Sequence, residues 1–94
     1  MPERPSRLPE GVAPYRTIGP FDADTLPAGL RRTHDLKQGT WGKVSVSQGS
    51  LEFVWEDAAG GRDKLAAPAE IVVPPQVPHH VEGEDFRLTI TFFR

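Results

Sequence analysis

Apolar positions along this chain recur with a period of two in short runs, and almost nowhere with the period of a helix. Lys43 to Gln48 (KVSVSQ) alternates cleanly, with Val44 and Val46 on one side and Ser45 and Ser47 on the other. Leu51 to Trp55 (LEFVW) puts Leu51, Phe53 and Trp55 on a shared face. Phe86 to Phe93 (FRLTITFF) does the same with Phe86, Leu88, Ile90 and Phe92. Gly49-Ser50, between the first two runs, predicts a tight hairpin. The last run leaves two choices of face. Thr89 and Thr91 suit a partly polar barrel interior, and the opposite orientation is also open.

The punctuation between runs completes a series of short strands. Tyr15 to Ile18 is an expected edge strand, and Gly19 to Gly29 is turn chemistry pinned by Phe21 and Leu26, with a short helical turn at Asp22 to Leu26. Leu30 to His34 is expected as a strand with Leu30, Arg32 and His34 on one face, followed by a glycine-flanked turn, Lys37 to Gly42, carrying Trp41. Glu56 to Asp63 forms a second hairpin loop and Lys64 to Ala66 the returning strand. Glu70 to Val73 and His79 to Glu82 are strands on either side of a proline loop, and Gly83 to Asp85 is an acidic turn. Residues 1–14 hold four of the ten prolines and read as an extended arm, leaving 15–94 as one all-β domain, a small barrel or sandwich.

Charge and composition remove several classes of function. A formal net charge of −2 without clustered lysine or arginine argues against a nucleic-acid partner. Neither a long apolar run nor a basic amphipathic helix supports a membrane role. The absence of cysteine rules out disulfides, thiolate zinc sites and cysteine nucleophiles. Met1-Pro2-Glu3 opens a polar segment without an apolar signal core, so the expected location is cytoplasmic. No glycine-rich loop precedes a helix that would cradle phosphate, and no Ser-His-Asp arrangement can be assembled.

The remaining chemistry gathers at Ile71 to Glu82 (IVVPPQVPHHVE). Pro74 to Pro78 is a stiff loop that delivers His79 and His80 to a fixed place, and the chain's other histidine is His34. Pro74-Pro75-Gln76-Val77-Pro78-His79 resembles the second cupin motif, P-x-G-x-x-H, with Gln76 where glycine is usual. His34, Lys37, Gly39, Trp41, Gly42 and Lys43, then Pro75, His79, Val81 and Glu82, then Phe92 and Phe93, resemble the pattern of the TehB amino-terminal domain and YeaR-like proteins. The resemblance covers roughly residues 15 to 94. It implies a small cupin-like double-stranded β-helix, or jelly-roll barrel. It also implies a small metal- and ligand-binding protein linked to tellurite or related oxyanion stress.

On that fold His34 and His79 would point into the barrel mouth from different strands. Two imidazoles with a carboxylate or water suit a divalent Zn, Ni or Fe ion. Glu82 is the third expected ligand because the resemblance includes it, although strand alternation turns it away from His79 unless a bulge intervenes. It would otherwise hold an imidazole from behind. The wider cupin pattern places a second histidine where this chain has Leu36 and a glutamate in a stretch, Gln38 to Gly49, that has none. Lys43 and Trp41 are the candidate ligand-binding residues. Lys43, with Lys37, Arg31 and Arg32, would form a positive rim for a small anion, and Trp41 either a platform or a packing residue. His80 reads as a surface residue. Two functions are compatible with this set. One is a binding or sensor module acting through a partner or a homodimer. The other is a metal-dependent enzyme on a small, anionic substrate with Glu82 as general base.

Overall fold

Two fifteen-residue strands, β2 (Trp41–Trp55) and β5 (His79–Phe93), carry the fold. They pair antiparallel along their whole length, from Trp41 opposite Phe93 to Trp55 opposite His79. The structure, a computed structural model that describes residues 5–94, adds three shorter strands: β1 (Pro14–Asp22), β3 (Arg62–Ala66) and β4 (Ala69–Val73). β1 lies along the outer edge of β5. The other edge of β2 is shared, β4 pairing with its first half and β3 with its second. Irregularities in the β2–β5 register at Val46/Gln48 and Ser50/Glu52 bend both strands midway, so that the two halves of the sheet fold over one core. The all-β class expected from the alternation is what forms.

The hairpin expected at Gly49-Ser50 does not form. Both flanking runs belong to β2, and both hydrogen-bond to β5 instead of to each other. The expected turn at Gly83 to Asp85 is likewise strand, facing the same bend. Glycine serves close approach here, not chain reversal. Gly49 has φ +69°, and a Cβ built on it would lie 2.0 Å from the Asp85 carbonyl oxygen. Local turn chemistry was outvoted by a partner strand more than thirty residues away in sequence.

Alternation then sorts the side chains. Val44 and Val46 face Leu88 and Ile90 in the first half, and Leu51, Phe53, Val81 and Phe86 fill the second. Thr89 and Thr91 point outward, Thr91 meeting Thr17 of β1, which resolves the choice left open above. Trp41 is in β2 and not in a turn. Asp22 ends β1 by accepting the backbone N–H groups of Asp24 and Thr25, and Leu26 closes the single helical turn on the Asp22 carbonyl.

Leu30 to His34 does not make the expected strand. Pro27 instead opens a 3-10 turn over Ala28–Arg31, with Leu30 N–H donating to the Pro27 carbonyl, and only His34 returns to the sheet. At the start of the chain, Ala13 exchanges two backbone hydrogen bonds with Arg94, so the end of the expected arm is already tied to the barrel. Residues 1–4 of that arm lie outside the described residues. Gln76 has φ +62°, the left-handed conformation that the cupin motif normally gives to glycine, and its N–H donates to the Leu36 carbonyl.

Placing a methyl group at Gly49 forces the two bent strands apart. Gly49→Ala is expected to cost ~2 kcal/mol or more in urea denaturation, and an unchanged midpoint would contradict the close approach.

Candidate functional site

The stiff loop Pro74 to Pro78 ends at His79, the first residue of β5. There the backbones of His34 and His79 exchange N–H···O=C bonds of 3.0 and 2.9 Å. Residues opposed in this way present side chains on the same face. The two imidazoles accordingly meet edge to face, with ring centroids 4.2 Å apart. Phe53 stacks on the other side of His79 at 4.9 Å and 22°, and Trp55 closes the edge, held in place by its indole N–H donating to Asp63.

Each imidazole is fixed by the same device. His34 Nδ1 lies 2.8 Å from the Arg32 carbonyl and His79 Nδ1 lies 2.7 Å from the Val77 carbonyl. A carbonyl oxygen only accepts, so Nδ1 carries the proton in both rings, and in a neutral ring Nε2 keeps its lone pair. His79 is 3% exposed, and burial pushes its pKa down to about 4, against the opposing pull of the Val77 carbonyl. At neutral pH His79 is therefore an uncharged acceptor.

These rings line a cavity of about 50 Å³ between the two halves of the sheet. Its inner end is formed by Phe53, Val73, Val81 and Leu88, all buried. Leu30, His34, Leu36 and Phe92 are only half-buried and mark the mouth. The segment between β1 and β2 supplies Leu26, Leu30 and Leu36 as a cover. Arg31 holds that segment down by donating to the Gly83 and Ala23 carbonyls while lying over the Phe86 ring.

The other expected site residues lie elsewhere. Glu82 is on the opposite face of β5, opposite Glu52, and bonds His80 Nε2 at 2.6 Å and Arg62 at 2.8 Å. His80 is more than a surface residue. Its Nδ1 contacts Glu56, which also accepts the Thr33 hydroxyl, and hydrogen bonding to Glu82 is the main cause that raises its pKa. Glu82 thus belongs to a charged network outside the barrel, anchoring a histidine, but His80 and not His79. Trp41 and Lys43 flank Gly42, which lines the cavity, so alternation turns both outward. Trp41 lies opposite Phe93, and Lys43 is 3.6 Å from Glu70. Among the described residues no group of three His, Asp or Glu side chains is disposed to hold a metal ion.

Sequence reading missed the role of Phe53 and the leucine cover. The stacking of Phe53 on His79 follows from the opposition of Trp55 and His79, which only the long β2–β5 pairing reveals.

The fold and this cavity define a small antiparallel β-barrel with two histidines at a largely hydrocarbon pocket. A family model described as the TehB-like domain matches residues 16–90, and the chain belongs to that family. It is 31% identical over 85 residues to the probable S-adenosyl-L-methionine-dependent methyltransferase TehB of Haemophilus influenzae, covering 84% of this chain and 30% of that protein. The chain thus spans about a third of the length of the curated relatives it matches. The crystal structure of TehB from Haemophilus influenzae superposes with a TM-score of 0.80 at 29% identity, covering 89% of this chain and 32% of the other. A crystal structure of an Escherichia coli K12 protein superposes at 0.82 with 24% identity, covering 94% and 95%. More distant likenesses to iron(II) HppE (TM-score 0.55, 16% identity, 68% and 34% coverage) and KdgF from Halomonas (0.53, 22%, 66% and 55%) extend the cupin-like barrel fold alone.

The depressed pKa of His79 sets a pH dependence. The unfolded chain takes up a proton at this histidine near pH 6.5 and the folded chain only near 4. Stability is therefore complete above pH 6.5 and falls as pH drops toward 4. The lowered carboxylates Glu56 and Glu82 lose their stabilising effect only as pH falls through the ordinary glutamate value of 4.5, whereas His80, with a raised pKa, adds stability as pH falls from 7 through 6.5 and so opposes the His79 loss. Between pH 7 and pH 5 the wild type should lose about 2 kcal/mol more in urea denaturation than His79→Phe, in which the His80 and carboxylate contributions are the same. Equal losses in the two proteins would contradict a buried, neutral His79.

Proposed function

We propose that this chain is a small-ligand-binding module of the TehB-like family, with the His34–His79 cavity as its binding site. The supporting observation is the pair of imidazoles that commit Nδ1 to backbone carbonyls and leave Nε2 for a ligand. The cavity lining contains no carboxylate, hydroxyl or amine, so recognition fits it better than catalysis. Glu82, the base an enzyme would need, is engaged with His80 and Arg62 outside the barrel. The transferase activity in the relatives' name is assigned to the two-thirds of their length that this chain does not span, with the present domain as an accessory that recognises a small molecule. Tellurite or related oxyanion stress, implied by the resemblance, is the setting in which such recognition would act.

A second reading has its own observation. Imidazoles fixed through Nδ1 to carbonyls are oriented as ligating histidines usually are. Two such rings suit a Zn, Ni or Fe ion as part of a ligand set, but fall short of the three protein ligands that a catalytic ion takes. His34 and His79 would hold the ion, with water or the bound molecule completing its shell. Such an ion would supply Lewis acidity toward a bound oxygen.

Protein-observed NMR screening of a fragment library of mixed charge, with and without added zinc, tests both readings. Hits are expected to shift Phe53, Val81 and His79 resonances and to be lost in a folded His79→Phe variant. The binding-module reading fails if no fragment perturbs those residues. The metal reading fails if zinc leaves both imidazoles unchanged.

A further inference from the structure

We infer that the molecule this cavity accepts is uncharged: a compact, largely apolar solute that presents one hydrogen-bond donor, such as an alcohol. The inference rests on the reading of the His34–His79 cavity as a ligand site and deepens it by naming the ligand's chemistry. It also departs from the anionic ligand expected from the positive rim.

Three observations carry it. First, the walls are leucine, isoleucine, valine and phenylalanine side chains, and His34 and His79 are the polar side chains among the lining residues. An ion transferred into such a lining loses its hydration without gaining a counter-charge, which is strongly unfavourable. Second, the Nδ1 proton of each ring is already given to a carbonyl, so the atoms that an uncharged pair leaves for a ligand, the two Nε2, are acceptors. An oxyanion offers only acceptors in return, whereas an O–H or N–H group donates to them. Third, two of the four cations expected to attract an anion are committed elsewhere. The Arg31 guanidinium is bonded to the Gly83 and Ala23 carbonyls, and Lys43 lies beside Glu70 on the outer face of β2.

Size sets a further limit. At about 50 Å³ the cavity has several times the roughly 10–15 Å³ needed to hold one water molecule. A solute of a few heavy atoms therefore fills the inner end, and a longer one extends past Leu30 and Leu36 to the mouth. The hydroxyl would sit at the imidazoles and the hydrocarbon against Phe53, Val81 and Leu88, whose burial gives the attraction.

The experiment compares two solutes with the same carbon skeleton, 1-propanol and propionate. Each is titrated into the chelator-treated protein at pH 7 and followed by NMR of the Phe53, Val81 and Leu88 side chains and of the His79 ring. Propanol is expected to shift these signals with a dissociation constant at least about tenfold lower than that of propionate. His34→Phe keeps a ring but removes one acceptor, and should weaken propanol binding. The wild-type comparison decides the matter even if that variant does not fold. Propionate binding as well as or better than propanol overturns the inference while leaving a ligand cavity in place. Failure of both solutes to shift the cavity signals overturns the ligand-site reading itself, and the inference with it.

Discussion

The antiparallel ladder between β2 and β5 is the constraint on which the rest of this protein depends. It places Trp55 opposite His79, and through the bridge to His79 it fixes His34 as well. Its midpoint bend at Gly49 folds the sheet back on itself and encloses the apolar side chains of both halves. The cavity is what remains between those halves where the leucine cover from the β1–β2 connection meets the histidine pair. Hydrophobic burial stabilises the arrangement, but register decides which groups are buried.

That geometry makes two adjacent histidines behave differently. His79 lies between the Phe53 ring and His34, with its Nδ1 proton on a carbonyl, and is held neutral by burial. One residue further along, His80 points outward between Glu56 and Glu82, which favour its charged form. Adjacent residues of one strand thus have opposite electrostatic environments, because alternation sends one to hydrocarbon and the other to carboxylates. The outer network also links Glu56 at the end of β2 to Thr33, next to His34, so the charged surface and the neutral cavity share a frame.

Much of this was legible in the sequence. Alternation in KVSVSQ and LEFVW identified the inward residues, and the spacing of Pro75, His79 and His34 identified the pair that meets. The same alternation shows why Glu82 and Lys43 are turned away from the cavity, since each is an odd number of residues from a side chain that lines it. Gly49-Ser50 misled because a glycine in αL geometry serves a hairpin turn and a bend in a long strand equally well, and only the pairing partner distinguishes them. Leu30 to His34 misled in the same way: its alternation was that of a strand, but Pro27 set a 3-10 turn first. The Nδ1–carbonyl bonds, which define what the histidines offer a ligand, depend on loop geometry and leave no trace in residue identity.

The central claim is that both imidazoles commit the Nδ1 proton to a backbone carbonyl, which leaves the buried, neutral His79 an acceptor Nε2. Long-range ¹H–¹⁵N NMR of the histidine rings at pH 7 tests it most directly, since the nitrogen shifts distinguish a protonated from an unprotonated ring nitrogen. Both His34 and His79 are expected to carry a proton on Nδ1, and the buried His79 to show an unprotonated Nε2. A proton on Nε2 of His79, as a neutral tautomer or an imidazolium, would contradict it.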